Sequence, residues 1–186
     1  MGDELEDQVG DMLRARWMPG DWFPCSPEAV SHYAAKARVF REYDPDRVIE
    51  IGTRCGYSLL AFHVAAKRHP RFLCIDGYVD EDSSACVRHW EQVVTSIGID
   101  AQLVVVNSHA IMSLPPADFA HVDGDHSYEG ALADLRLVAH VPVILADDCC
   151  NPDVERAVEQ FCLETGREPV YFHDGLRKAA VLEVAT

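Results

Sequence analysis

Two acidic stretches carry the strongest chemical signal in this 186-residue chain: Val122-Asp-Gly-Asp-His-Ser-Tyr-Glu-Gly130 and Ala146-Asp-Asp148. Each follows a short apolar run, 119–122 and 143–145, that reads as a buried strand. If the two strands are neighbours, their ends bring Asp123, Asp125, Asp147 and Asp148 together. Carboxylates so close must be partly protonated or share a cation. Oxygen ligands without paired histidines or nearby cysteines suit Mg²⁺, or Mn²⁺ or Ca²⁺, rather than zinc. The alternative is that these acids cap the helices that follow. Asp148 precedes a helical pattern at 152–165, and Asp125 precedes one at 128–140. His126 lies three residues after Asp123. An imidazole that titrates near neutrality can take a proton from an acceptor hydroxyl, or it can simply hold the loop by hydrogen bonds.

The run Glu50-Ile-Gly-Thr-Arg-Cys-Gly-Tyr-Ser58 joins a strand pattern at 48–51 to a helical one at 57–68. Glycines in such a turn let a ligand approach the backbone against a helix N-terminus. The spacing is Glu-x-Gly-x-x-x-Gly, and the nicotinamide fingerprint Gly-x-Gly-x-x-Gly is absent. Ligands of open α/β sheets bind at the carboxyl ends of the strands. There, Gly52, Thr53, Gly56 and Ser58 can hold the amino-acid end of a cofactor. Asp76 ends a strand at 72–75, 26 positions beyond Glu50. It can accept both hydroxyls of a ribose, or serve as a turn residue before Gly77. Asn107, Ser108 and His109 follow a strand at 102–106 and can bond adenine or cap the next turn.

The elements that must position these groups alternate. Strands at 48–51, 72–75, 102–106, 119–122 and 143–145 are separated by helices at 57–68, 84–97, 128–140 and, after the fifth, 152–165, with a short helical turn before Leu114-Pro-Pro116. Short, continuously apolar strands fit a parallel sheet covered on both faces, and hence a doubly wound α/β domain. Strands at 170–172 and 179–184 are joined by His173-Asp-Gly-Leu-Arg-Lys178, too short for a crossover, so they are predicted antiparallel. Ahead of the sheet, residues 1–45 form an N-terminal arm with a helix from the Ser26-Pro27-Glu28 start to about Tyr43. Trp17, Trp22 and Phe23 in that arm either anchor it to the core or wall the acceptor site. His63 and His121 read as structural, and His173 as a weaker candidate for the acceptor pocket. Cys55, Cys74 and Cys162 read as buried thiols, and the adjacent Cys149-Cys150 as unsuited to bridging each other.

Taken in order, Glu50–Ser58, Cys74-Ile-Asp76, Val104-Val-Val-Asn-Ser-His109 and Ala146-Asp-Asp148 resemble the corresponding pieces of the catechol O-methyltransferase group. Asp123-Gly-Asp-His-Ser-Tyr128 with Ala133-Asp-Leu135 is still more similar to bacterial small-molecule O-methyltransferases of secondary metabolism, including macrolide-sugar and cephalosporin-pathway relatives. The resemblance spans about 46–186. It implies a Rossmann-like class I methyltransferase fold that binds S-adenosylmethionine (SAM): a seven-stranded, mostly parallel sheet with an antiparallel last strand and helices on both faces. Glu50, Gly52, Gly56 and Ser58 would then hold the methionine part, Asp76 the ribose, and Ser108 with its neighbours the adenine. Asp123, Asp147 and Asp148 would bind the metal. His126 stands where the catechol group has a catalytic lysine and macrolide-sugar relatives a histidine. One departure is Ala139-His-Val-Pro142, where the family usually turns on Gly-Gly. The chain has no large insertion to enclose an acceptor, so the arm or a second subunit would complete the pocket, and a homodimer is one expectation.

Composition narrows the partners. Lys and Arg number 16 against 31 acids, the net charge is −15 and the pI is about 4.8. A nucleic-acid partner, which requires phosphate neutralisation, is not expected. No apolar run reaches membrane-span length and the start is acidic, so a cytoplasmic protein acting on a small molecule is the expectation. The competing readings are a nicotinamide oxidoreductase, a SAM-binding module without methyl transfer, and an enzyme methylating nitrogen or carbon.

Overall fold

In the computed structural model, residues 3–18, 26–77, 83–173 and 177–184 are described. The chain order is α1 (Glu4–Ala15), α2 (Pro27–Tyr43), β1 (Arg47–Ile51), α3 (Tyr57–Ala65), β2 (Arg71–Asp76), α4 (Ser83–Ile97) and β3 (Ala101–Val105). It continues with a single 3-10 turn (Ser108–Ala110), β4 (Phe119–Val122), α5 (Tyr128–Leu137), β5 (Val143–Ala146), α6 (Pro152–Thr165), β6 (Pro169–His173) and β7 (Lys178–Glu183). Among the described residues the seven strands form one sheet in the order β3-β2-β1-β4-β5-β7-β6. The first five pair in parallel. The last two form the expected antiparallel pair, with β7 inserted between β5 and β6.

Strand alternation divides the core into two layers. Val48, Phe72, Phe119, Leu145 and Val181 face α1 to α4. Ile49, Ile51, Ala120, Val122, Ile144 and Leu182 face α5 and α6. The same alternation turns Glu50 and His121, register partners on β1 and β4, toward the first layer. Both are fully buried there.

Helix α2 starts as its sequence dictates: the Ser26 hydroxyl accepts a bond from the Ala29 amide at 3.1 Å and Pro27 opens the first turn. Its inner face carries Ala29, Tyr33, Ala37 and Phe40, and Phe40 stacks on Phe62 at 4.7 Å between ring centres. His32 and Lys36 lie on this buried face too. Helix α1 was not anticipated by the sequence reading. Asp3 caps it, Leu5, Val9 and Leu13 are buried at four-residue spacing, and it joins the same core as α2 and the sheet.

Two predicted helices end early. Helix α3 stops at Ala65, where the Asp44 carboxylate takes the Lys67 amide and the Arg68 side chain. Helix α5 stops at Leu137. The connection after it, which lacks the family's glycines, is held by Arg167, whose guanidinium donates to the carbonyls of Ala139, Val141, Pro142 and Leu182. That buried fork supplies acceptor satisfaction that a tight loop cannot find in water.

Cys55, Cys74, Cys149 and Cys162 are buried and Cys150 is exposed. Trp17 is 42% exposed, while Trp22 and Phe23 lie outside the described residues. No helix among the described residues is long and apolar enough to cross a membrane.

Candidate active site

The chain leaves β1 for β2 and β3 on one side and returns to β4 on the other. The carboxyl ends of β1 and β4 therefore bound a crevice at a topological switch point. A cleft of about 620 Å³ opens there. Its wall is built first by the loop after β1. Gly52 sits at φ +86°, and a Cβ on it would lie 1.9 Å from the Asp123 carbonyl oxygen, so only glycine lets the two strand ends approach this closely. Gly56 opens α3 at φ +82°. Between them, the Thr53 hydroxyl accepts a bond from the Trp90 indole at 3.1 Å, and the Arg54 amide donates to the Asp76 carboxylate at 2.7 Å. Thus the glycine loop and the end of β2 are tied together.

The edge beyond β3 is organised from α5. Asn107 accepts from the His109 amide at 2.9 Å and caps the 3-10 turn. The Ser108 hydroxyl donates to buried Asp134 at 2.6 Å, and the Asp125 amide reaches the other Asp134 oxygen at 3.3 Å. Burial pushes the Asp134 carboxyl up, against the bonds from Ser108 and Asp125.

Below the cleft lies a buried polar cluster that the sequence reading did not find. The Lys36 ammonium donates to Asp147 at 2.6 Å and to Ser58 at 2.9 Å, and lies 3.8 Å from Asp123. Its fourth neighbour is His121 Nε2 at 3.5 Å. The other His121 nitrogen lies 3.2 Å from Glu50, and His32 lies 3.0 Å from Asp147. Burial alone would depress the Lys36 pKa, but the charges of Asp147 and Asp123 outweigh it and hold the ammonium above the ordinary lysine value. Burial likewise opposes the Asp147 carboxylate, and Lys36, His121 and His32 hold it well below the usual range. A buried charge survives only with such partners.

At the mouth of the cleft, His126 Nε2 lies 3.4 Å from Asp123 and 3.6 Å from Asp148. The hydrogen bond to Asp123 is the main cause that raises the His126 pKa, against partial burial. Arg177 donates to Asp148 at 2.8 Å. Asp148 adopts φ +50°, and burial with the charges of Asp147 and Asp123 pushes its carboxyl up.

Most of the residues singled out in the sequence meet here. Gly52, Thr53, Ser58, Asp76, Asn107, Ser108, His109, Asp123, His126 and Asp148 line the cleft. Glu50, Gly56 and Asp147 stand behind its wall, and His173, at the end of the edge strand β6, does not line the cleft. Helix capping does not account for Asp148, because Asn151 caps α6; Ser127 caps α5, with Asp125 accepting the Ser127 amide. Tyr33, Arg54 and Arg177 also line the cleft. Among the described residues, the polar atoms that could hold a metal converge in two groups, His121 with Asp123 and Asp147, and Asp123 with His126 and Asp148. Asp147 and Asp148 fall in different groups, the first penetrated by Lys36 and the second flanked by Arg177. Each group thus already has a fixed cation against one of its carboxylates, and each includes a histidine beside its two acids. The SAM side is different: a carboxylate at the end of β2, hydroxyls and amides in the glycine loop, and a polar edge after β3 fit an amino acid, a ribose and a base.

Comparison with known proteins agrees with this geometry. Residues 49–149 match a family model described as a methyltransferase domain. No curated protein matches the chain. Among solved structures, the S-adenosylhomocysteine-bound methyltransferase PaMTH1 of Podospora anserina is similar over 100% of this chain and 89% of its own, with TM-score 0.67 and 12% identity. The O-methyltransferase TomG of Streptomyces achromogenes, involved in tomaymycin synthesis and solved with SAM, is similar over 100% and 92%, with TM-score 0.62 and 14% identity. An O-methyltransferase of Bacillus cereus in complex with S-adenosylhomocysteine is similar over 98% and 92%, with TM-score 0.60 and 13% identity. At these identities the likeness speaks for the fold, and the family match over more than half of the chain speaks for membership. A strand-end cleft on a 3-2-1-4-5-7-6 sheet, closed by a glycine loop and matched by that family model, means that this chain belongs to the methyltransferase-domain family and is a methyltransferase of the class I, SAM-dependent fold.

Proposed function

We propose that this protein transfers a methyl group from SAM to a hydroxyl oxygen of a small molecule. The observation that carries the reading is His126 beside Asp123 at the mouth of a cleft whose far end carries Asp76. SAM, when bound, supplies a methyl group activated on a sulfonium. Gly52, Thr53 and Ser58 would hold its amino-acid end, Asp76 its ribose hydroxyls, and Asn107, Ser108 and His109 its base. Ser58 is oriented for this task by the bond it accepts from Lys36. His126 takes the acceptor proton in its neutral form, and Asp123 holds the ring and stabilises the imidazolium that results. The chain's largest contribution is alignment of the acceptor oxygen in the cleft. Oxygen is favoured over nitrogen because a neutral amine attacks through its own lone pair, whereas a hydroxyl needs a base at the transfer step. A net charge of −15 supports a small acceptor over a nucleic acid. A second copy of the chain closing the acceptor side remains part of the proposal, checked by sedimentation.

The test is calorimetric titration of S-adenosylhomocysteine into wild-type and Asp76→Ala protein, with NAD as control. A loss of at least about tenfold in Asp76→Ala, with no NAD binding, supports the assignment; a buried charge-assisted bond is worth roughly that. Transfer of a labelled methyl to hydroxyl but not amine compounds then tests the acceptor class. No binding of S-adenosylhomocysteine by wild type would sink the reading.

A further inference from the structure

We infer that Lys36 is the resident cation of this active site, standing among the strand-end carboxylates where a divalent metal would have to sit. The inference rests on the methyltransferase reading of the cleft, but it is tested by metal binding and not by turnover.

One of the two convergent groups of possible metal ligands among the described residues is His121, Asp123 and Asp147. The Lys36 ammonium is 3.5 Å, 3.8 Å and 2.6 Å from these three side chains. The ammonium donates to Asp147 and Ser58 and has His121 Nε2 and an Asp123 oxygen within 3.8 Å, so it fills the space between the three groups. This side chain is 1% exposed, so water does not screen it. A Mg²⁺ ion binds carboxylate oxygen at about 2.1 Å. Placed on Asp147, it would stand against the ammonium, and two like charges that close in a dry site repel strongly. The other group, Asp123, His126 and Asp148, shares Asp123 with Lys36 and has Arg177 on Asp148 at 2.8 Å. Three carboxylates thus already face two fixed cations and the imidazoles of His32, His121 and His126.

Lys36 does not line the cleft, so its part is that of a positioning residue: it fixes Asp147 beneath the cleft floor and turns Ser58 into it. The consequence concerns the acceptor. A metal that grips the acceptor selects paired oxygens, as in a catechol or diol. A site neutralised by Lys36 has no such demand, so a lone hydroxyl is a sufficient substrate.

The experiment is Mn²⁺ binding followed by electron paramagnetic resonance, on wild type and Lys36→Ala, each with and without S-adenosylhomocysteine. Wild type is expected to leave the free-ion signal undiminished. Lys36→Ala is expected to take up Mn²⁺ stoichiometrically, with affinity raised about tenfold or more, because a charge within a few ångströms has been removed. Stoichiometric uptake of Mn²⁺ by wild type overturns the inference. So does a folded Lys36→Ala protein that takes up none, since Lys36 would then not hold a metal's position. If that variant fails to fold, the wild-type measurement decides alone. Failure of the methyltransferase reading would show separately, as absence of S-adenosylhomocysteine binding in the same samples.

Discussion

Replacing Lys36 by methionine keeps the length of the side chain and removes its charge. In the native structure that charge is fully buried, 2.6 Å from Asp147 and 2.9 Å from Ser58. The variant leaves Asp147 with His32, His121 and the Asp148 amide beside it. Breaking a buried pair by removing one member costs about 3–5 kcal/mol, mostly the desolvation of the charge left behind. For a chain of this size each kilocalorie lowers the melting temperature by about 2–4 °C, so the loss is about 6–20 °C. The discriminating measurement is a double-mutant cycle with Asp147→Asn, read by urea unfolding at neutral pH with linear extrapolation. Each single change should be severe. The double variant should fall short of their sum by about 3 kcal/mol, since neither charge remains to be stranded. If Lys36→Met loses less than about 1 kcal/mol, the value typical of an exposed pair, or if the cycle is additive, then Lys36 and Asp147 are not a buried pair and the reasoning fails.

The same site carries further expectations. The bond to Asp123 raises the His126 pKa, and a base works only when deprotonated, so methyl transfer should rise with pH through a value above the ordinary histidine pKa of about 6.5. Asp123→Asn should move that acid limb toward lower pH, and His126→Ala should erase it; a limb unchanged in both variants removes His126 as the base. Gly52→Ala should destabilise the fold and abolish S-adenosylhomocysteine binding, because its Cβ meets the Asp123 carbonyl at 1.9 Å. Gly98→Ala is the control, at φ +74° with nothing within 4 Å of the added carbon. It should cost only the left-handed strain of about 1–2 kcal/mol, and Gly52→Ala about 1–3 kcal/mol more for the overlap. Equal effects in thermal melts would mean that the approach of β1 to β4 is not as close as it stands here.

The parts of the site carried on strand ends were legible because a strand end is a local property. An apolar run followed by Asp, as at Ile75-Asp76 and Val122-Asp123, marks both the element and the position of its carboxylate. Local turn chemistry was equally readable in Ser26-Pro27, which begins a helix where expected; the last helix also starts at 152 as expected, though Asn151 and not Asp148 caps it. Helix α1 was equally legible and was not read: Leu5, Val9, Met12 and Leu13 recur at helical spacing behind the Asp3 cap, and they pack into the same core as α2 and α3. Lys36 left a clue that went unused. It falls three residues after Tyr33 and four before Phe40, on the apolar face of its helix, where a lysine needs a buried carboxylate.

By itself, the sequence determined the alternation of strands and helices, the antiparallel pair at the end, the glycine loop and the strand-end acids. Each of these depends on neighbours in the chain and on periods of two or 3.6 residues. Only the tertiary structure decided which charges meet. Lys36 and Asp147 are 111 positions apart, and Arg177 and Asp148 are 29 apart. Seen along the chain, Asp123, Asp147 and Asp148 look like ligands in need of a cation. Folding sends Asp147 to the face that α2 covers, leaves Asp148 at the cleft, and brings a separate cation to each. The physical reason is that a buried carboxylate is stable only with its counter-charge in contact, and the choice of counter-charge is made by packing rather than by spacing.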